Sequence, residues 1–464
     1  MNTPSSPQVD LSIPRHIHVV GVGGAGMSAI AGVLAGMGHH ITGSDIKSSR
    51  WLEQLGVRGV EVAIGHRREN VVGADAVTYS TAVSERNIEI TEARRLSIPV
   101  LSRAAMLASI AALRRTIAIA GTHGKTTTSS MLALVLVEAG LRPSFIIGGE
   151  VNEIGTNAAW DSGELLVVEA DESDGTFLHL RPEIGIVTSV EPDHIEHYGS
   201  FEELKAAFKV FLEQAGSAIV CADDPVAALL APGSAVTYGC SQRAKVRIVG
   251  VESGRNHLRF DLLGSGESLG HFELPVPGLH NAQNAAAAVA AALELGVDPE
   301  HARRALARFA GVARRFEFRG EFGGVTFVDD YAHLPGEVRV TLDAALSGGF
   351  ERVVCVFQPH RYSRVALLAP GFADSFVGAD LVVVTDIYPS GEMPRPGVSG
   401  RLVLDAIVRA HPGAAAVYVP NREGVIAYLR QNLRPGDLCL TLAAGDLTNL
   451  ASALAAGLER AERL

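Results

Sequence analysis

The stretch Thr116-Ile117-Ala118-Ile119-Ala120-Gly121-Thr122-His123-Gly124-Lys125-Thr126-Thr127-Thr128 joins an apolar, β-prone run to a glycine turn and then to residues with helical spacing. Glycines let backbone N–H groups turn toward a polyphosphate, the helix start adds the positive end of its dipole, and a lysine at this position reaches the outer phosphates. Gly121, Thr122, His123, Gly124, Lys125, Thr126 and Thr127 are therefore expected to line a phosphate site, with the Thr126 hydroxyl placed for Mg²⁺. Leu132, Val135, Leu136 and Ala139 recur at helical spacing, and Gly140 closes the pattern. The common loop has four residues between its glycines. That would require glycine at position 119, where this chain has Ile119, so the shorter G-x-x-G-K-T form points away from GTPase-like proteins.

Outward from this loop the chain reads as three α/β blocks, each opening on an apolar strand that runs into a Gly-rich or polar turn. The expected domains are residues 1–113, a Rossmann-like nucleotide-sugar block; 114–315, a central P-loop ATPase-type block; and 316–464, a second Rossmann-like α/β block. In the first, a strand at His16 to Val20 leads to Gly21-Val22-Gly23-Gly24-Ala25-Gly26, and further strands are expected at His40 to Thr42, Ala76 to Tyr79 and Ile98 to Leu101, with a helix over Ala104 to Arg114. The second adds strands at Leu165 to Val168 and Ile184 to Val190, a β-rich portion from Val246 to Leu274 and an alanine-rich helix. The third has strands at Val325 to Val328, Val353 to Phe357, Leu381 to Thr385, Ala416 to Val419 and Leu438 to Leu442.

Composition limits the function classes. The chain has 464 residues, is 47% hydrophobic and carries a formal net charge of −11, so it is globular and offers no broad nucleic-acid surface. Cys221, Cys240, Cys355 and Cys439 are scattered without C-x-x-C spacing and read as buried free thiols in a reducing cytoplasm. No run approaches the roughly 18 apolar residues of a membrane helix, and the Pro/Ser-bearing start lacks a signal pattern. A cytoplasmic protein without membrane or nucleic-acid partners is expected.

Other sites gather at strand ends. Gly21, Gly23 and Gly26 satisfy G-x-G-x-x-G between a strand and a helix, and Asp45 falls where a ribose-binding acid would, or serves as a turn acid. Alone this turn suggests a nicotinamide-dependent oxidoreductase. A second phosphate loop about a hundred residues on has no place in one, and favours one site for ATP and another for a nucleotide-linked substrate. Glu169, Asp171, Glu172 and Asp174 follow a strand beside the phosphate loop, where some can hold Mg²⁺ and others are solvated. His194 ends the next strand as a metal or nucleotide contact. Arg361 and Arg364, three apart after a strand, can clamp a carboxylate or phosphate, with Asp329-Asp330-Tyr331-Ala332-His333 at the neighbouring strand end.

These pieces, in this order, resemble the Mur ligases of peptidoglycan synthesis over essentially the whole chain. The marks are Gly21 to Ser28, Gly121 to Thr128, Glu169 to Asp174, Glu191-Pro192-Asp193-His194, His280-Asn281-Ala282-Gln283-Asn284, Arg314-Arg315-Phe316, Asp329-Asp330-Tyr331 and Gln358-Pro359-His360-Arg361-Tyr362. The resemblance implies ATP-dependent amide formation through an acyl phosphate, with Mg²⁺. The Gly21 to Ser28 and Glu169 to Asp174 forms favour the branch that joins UDP-N-acetylmuramate to L-alanine. It further implies Lys125, His194 and Arg315 as catalytic; Thr126, Glu169 and His194 toward metal; Asn281 and Asn284 toward adenine; and Arg315 and Asp330 toward phosphates and ribose. Gly23, Gly24, Ala25, Gly26, Asp45, Ser80 and Thr81 would hold the UDP-sugar, and Tyr331, His333, Arg361 and Arg364 the amino acid. Because these parts come from three blocks, domain closure is the expected route to an assembled site. Where the family has His-His-Pro-Thr-Glu, this chain has His333-Leu334-Pro335-Gly336-Glu337, which removes two polar groups beside the amino-acid pocket. Rival readings are a sister ligase that attaches a preformed peptide in wall recycling and a non-catalytic nucleotide-binding paralogue; a homodimer is an open partner expectation.

Overall fold

The computed structural model describes residues 9–461, with side chains through residue 455. The Pro/Ser-bearing start and the last three residues of the expected third block lie outside them. Three sheets form. The first consists of β1 (His16–Val20), β2 (His40–Asp45), β3 (Glu61–Ile64), β4 (Ala76–Tyr79) and β5 (Val100–Ser102), all parallel in the order β3-β2-β1-β4-β5. The order reverses between β1 and β4, so the turns after these two strands flank one crevice, where α/β sheets bind ligands.

The second sheet is built from β6 (Arg115–Ala120), β7 (Ser144–Val151), β8 (Thr156–Ala159), β9 (Leu165–Glu169), β10 (Ile184–Val187), β11 (Ser217–Cys221) and β12 (Val236–Gly239) in the order β12-β11-β10-β6-β9-β7-β8. On its far edge β13 (Val246–Ser253) pairs with β12 at Tyr238↔Val246. The strands β14 (Leu258–Gly264) and β15 (Glu267–Leu274) complete the β-rich portion. Strand β6 is buried at every residue after Arg115, as a central parallel strand must be.

The third sheet holds β16 (Glu317–Phe322), β17 (Val325–Asp330), β18 (Arg352–Gln358), β19 (Leu381–Val384), β20 (Ala416–Tyr418) and β21 (Asp437–Ala443) in the order β16-β17-β21-β18-β19-β20, with only β16 antiparallel. Along β18 the side chains alternate: Val353, Cys355 and Phe357 enter one apolar cluster, Val354 and Val356 the other. Helices thus cover both faces.

The chain packs as two compact units. One takes the described residues up to Val249 with Asp261–Phe272 and Gln283–Phe309; the other takes Gly250–Phe260, Glu273–Ala282 and the described residues from Ala310 onward. The first unit has a continuous core, from Ile17, Val19, Ile30 and Leu34 to Val168, Phe177, Phe208 and Phe211.

Several expected boundaries move. Strand β10 stops at Val187 instead of Val190. Residues Thr188 to Val190 leave the ladder because they serve the phosphate loop: Thr122 N donates to Ser189 O at 2.9 Å, and Thr188 Oγ1 donates to His123 O. The expected helix over Ala104 to Arg114 spans Arg103–Ala111, with the Ser102 hydroxyl accepting from Ala105 N at 3.2 Å at its start. Cys221, Cys355 and Cys439 are buried free thiols as expected. Cys240 is not. It lies past β12 in a turn that Asp223 holds through the Cys240 N–H at 2.8 Å, which leaves it partly exposed.

Candidate active site

The phosphate loop leaves the centre of the second sheet, between β9 and β10. Gly121 has φ +132° and Gly124 φ +78°, conformations that favour glycine. Space forces the same choice: a Cβ on Gly121 would lie 2.1 Å from Thr188 Oγ1, and one on Gly124 2.5 Å from Asn284 Oδ1. Gly124 then caps the helix Lys125–Glu138, whose first N–H groups have no side-chain cap. The helix ends as expected, with Gly140 at φ +73° and Leu141 N bonded to Leu136 O at 3.0 Å.

Lys125 is folded back over this loop. Its Nζ donates to Gly121 O at 2.5 Å, to Glu172 Oε1 at 2.8 Å and, more weakly, to Thr122 O at 3.4 Å. Burial opposes its charge, and the carboxylates of Glu172, Asp171 and Glu169 outweigh that, holding the ammonium pKa above its ordinary value. Glu172 is only 3% exposed, and burial pushes its carboxyl up against the pull of Lys125. Its Oε2 is buried with no hydrogen-bond partner among the described residues. The Tyr198 hydroxyl ties the Glu172 carbonyl at 2.5 Å.

The acidic stretch after β9 divides its work. Glu169 Oε2 accepts from Gly148 N at 2.8 Å. Asp171 and Asp174, partly exposed, are ion-paired: Arg103 Nη2 reaches Asp171 Oδ2 at 3.1 Å and Asp174 Oδ2 at 3.0 Å. Although burial raises the Asp171 carboxyl, Lys125 and Arg103 overcome that and hold it well below the usual carboxylate range. Arg103 received no role from sequence and Glu172 only a shared one, as one of four carboxylates open to Mg²⁺ or solvent, since both meet their partners only in the folded chain. An arginine placed directly after a strand was the available signal for the first; the second lay in plain view among four carboxylates.

His194 sits at φ +53°, with its backbone N–H on Asp193 Oδ1 at 2.9 Å and its Nε2 3.2 Å from Asp193 Oδ2. His123 Nε2 is 3.2 Å from Glu191 Oε2. Thr128 Oγ1 donates to Asn284 Oδ1 at 3.2 Å, so the helix Leu279–Glu294 brings Asn284 against the phosphate loop. Thr126 and Thr127 begin the helix beside Lys125.

In the first sheet, the glycine turn after β1 and Ser80-Thr81 after β4 share the crevice. A Cβ on Gly21 would meet Ser80 Cβ at 3.0 Å, while around Gly24 there is open space. Asp45 holds the turn: its Oδ2 accepts from Gly23 N at 2.8 Å. Ala25 and Gly26 begin the helix Ala25–Gly36, and Arg103 Nη1 would lie 3.2 Å from a Cβ on Gly26.

In the second unit, Asn281 Nδ2 donates to Pro277 O at 2.7 Å. Asp330 ends β17 nearly buried and accepts from Phe316 N and Ala332 N, both at 2.7 Å, while burial raises its pKa. Tyr331 is flanked by the guanidinium groups of Arg314, 4.7 Å from its ring, and Arg315, at 5.4 Å. Arg315 Nη1 is also 3.7 Å from Glu337 Oε1. His333 Nδ1 meets Tyr331 O at 2.9 Å and its ring packs edge-on to His360. Arg364 is buried with Nη1 2.9 Å from His360 Nδ1, and Arg361 begins the helix Tyr362–Leu368 at φ +64°. The altered Leu334 is buried; the Glu337 carboxylate takes the backbone N–H groups of His333 at 2.9 Å and Leu334 at 3.2 Å.

Three family models match consecutive parts of the chain: the Mur ligase family catalytic domain at residues 16–115, the Mur ligase middle domain at 119–292 and the Mur ligase glutamate ligase domain at 314–445. The chain is 47% identical to the UDP-N-acetylmuramate–L-alanine ligase of Anaeromyxobacter sp. strain Fw109-5, covering 94% of this chain and 96% of that one. The ligase of the same name from Sorangium cellulosum strain So ce56 is 44% identical, covering 96% and 97%. Among solved structures it resembles the UDP-N-acetylmuramate–alanine ligase MurC of Thermotoga maritima, with a TM-score of 0.79, 29% identity and coverage of 97% and 99%. Two glycine cradles on separate α/β sheets, followed by a third and matched end to end by these models and relatives, place the chain in the Mur ligase family.

Proposed function

We propose that the chain is an ATP-dependent ligase that joins the carboxylate of UDP-N-acetylmuramate to the amine of L-alanine in peptidoglycan precursor synthesis. The carrying observation is the phosphate loop with its glycine-only backbone and Lys125, in a chain 47% identical over nearly its whole length to a ligase of that name. We keep 1–113, 114–315 and 316–464 as its functional blocks.

The chemistry follows from what each group can hold. A substrate carboxylate oxygen attacks the γ-phosphorus, the bond to ADP breaks, and an acyl phosphate forms. The alanine amine then attacks the acyl carbon, phosphate departs, and the nitrogen gives up a proton. Lys125 and the loop N–H groups balance the negative charge of the phosphates, and Gly23, Gly24, Ala25 and Gly26, with Ser80 and Thr81, hold the UDP-sugar pyrophosphate. Asp45 acts through the Gly23 turn that it braces. Asn281 and Asn284 recognise adenine, Asp330 the ribose, and Arg315 the phosphates. Tyr331, His333, Arg361 and Arg364 form the amino-acid side.

Mg²⁺ fits the donor set. Among the described residues no three His, Cys, Asp or Glu side chains converge as a metal cage; Mg²⁺ on nucleotide phosphates needs only one or two protein oxygens besides the phosphates and waters. The Thr126 hydroxyl and the Glu169 carboxylate would supply these, with His194, beyond the neighbouring strand β10, as a further donor, and the ion would neutralise phosphate charge. The reading carries a cytoplasmic location, where ATP and free thiols coexist; no described helix is long and apolar enough to cross a membrane.

The test is phosphate release with UDP-N-acetylmuramate fixed and the acceptor varied. L-Alanine should support release and a preformed tripeptide should not. Release with the tripeptide alone would move the chain to the recycling branch, and no release with any acceptor would favour the non-catalytic reading.

A further inference from the structure

We propose that Glu172 is a positioning residue that occupies Lys125 in place of a nucleotide phosphate, and that nucleotide binding proceeds by exchanging this carboxylate for a phosphate oxygen. The inference rests on the phosphate-loop reading above and adds to it a residue that reading leaves without a role.

A lysine ammonium has three N–H bonds. Here all three face protein acceptors: Gly121 O, Thr122 O and Glu172 Oε1. Two of these belong to the loop itself, so they fix where the ammonium sits. The third is the only anion in direct contact among the described residues, and it is the one that a phosphate can replace without dismantling the loop. Glu172 is suited to exchange because little else holds its carboxylate: Oε2 is buried with no hydrogen-bond partner among the described residues. Its backbone is anchored separately, by Tyr198 on the carbonyl. The neighbouring acids are committed elsewhere, Asp171 and Asp174 to Arg103 and Glu169 to Gly148.

The exchange has an energetic sign. In the self-paired arrangement, Glu172 and Lys125 compensate each other in a buried setting. When a phosphate takes Lys125, the Glu172 carboxylate loses its only charged hydrogen-bond partner, which opposes binding. A neutral isostere removes this opposition at both ends: Lys125 has a weaker acceptor before binding, and no charge is stranded after it. Glu172→Gln should therefore lower the stability of the nucleotide-free protein while tightening nucleotide binding, by linkage. A merely structural carboxylate would lower stability without improving affinity.

The experiment titrates the full chain with a non-hydrolysable ATP analogue by calorimetry, without UDP-sugar, alongside thermal melts with and without the analogue. Glu172→Gln should bind about tenfold more tightly and show a larger nucleotide-induced rise in Tm from a lower starting point. Glu172→Asp, with a shorter arm, should shift affinity the same way by less, and decides the matter if the glutamine variant does not fold. Unchanged or weaker binding in the folded variants overturns the proposal. Lys125→Ala separates the two layers: if it binds the analogue as tightly as the parent, the phosphate-loop reading itself fails, whereas loss of binding there with no gain in the Glu172 variants sinks only the role of Glu172.

Discussion

Glu89 illustrates how a single residue can hold the first block together. It is fully buried, and five groups from three stretches of chain surround its carboxylate. Ser44 Oγ donates to Oε2 at 2.6 Å and His66 Nδ1 lies 2.8 Å from the same oxygen; Asn70 Nδ2 reaches Oε1 at 2.5 Å, Arg67 N does so at 3.2 Å, and His18 Nε2 is 3.7 Å away. Burial pushes the pKa up, but His18, Ser44 and Asn70 together outweigh it and bring it from 4.5 to about 2. A depressed carboxylate pKa stabilises the fold at pH values above 4.5, and the effect fades as pH falls through about 2. The shift corresponds to about 3 kcal/mol. Glu89→Gln should therefore lose roughly this much stability at pH 7 in denaturant melts, with the gap to the parent narrowing as pH drops below 4.5. A gap that stays constant down to the acid limit would mean that packing, and not charge, sets the contribution of Glu89. Nothing in the local sequence Asn87-Ile88-Glu89-Ile90 hints at this hub, because its nearest partner, Asn70, lies 19 residues away and its farthest, His18, is on β1.

At the scale of elements, the phosphate loop was the most legible part of the chain. An apolar strand, a glycine turn and a helix with a glycine stop were all local patterns, and the structure returns them as Arg115–Ala120, the turn, and Lys125–Glu138. What local pattern could not show is why Gly121 must be glycine. Its conformation at φ +132° and the Thr188 side chain across the turn act together. Gly121→Ala should cost roughly 1–3 kcal/mol through backbone strain alone and should displace the Thr188 to Val190 segment that leaves β10 early. Denaturant melts and nucleotide titration check this; unaltered binding in the alanine variant would mean that the turn yields more readily than its contacts suggest. Short or glycine-bearing strands were the least legible elements. Strands β7 and β8 escaped notice because Gly148 and Gly149 interrupt one and the other has only four residues.

At the scale of the whole molecule, the two glycine cradles stand on different sheets, one after β1 and one after β6, each with its own strand-end partners. Their functions should separate accordingly. Lys125→Ala is expected to reduce phosphate release at least about a hundredfold while UDP-sugar binding, measured by calorimetry, stays close to the parent. Parallel loss of both would show that Lys125 supports the fold and not only the phosphate site. By itself the sequence determined the three α/β blocks, the two cradles and the identity of most residues at the strand ends, because periodicity, glycine turns and motif order are properties of neighbours along the chain. Only the tertiary structure decided which of the four clustered acids does what: Glu172 turns to Lys125, Asp171 and Asp174 to Arg103, and Glu169 to Gly148. Carboxylates of the same kind a few residues apart differ only in which partner the folded chain brings within hydrogen-bonding distance, and that distance is set by strand order and helix packing that no local pattern contains.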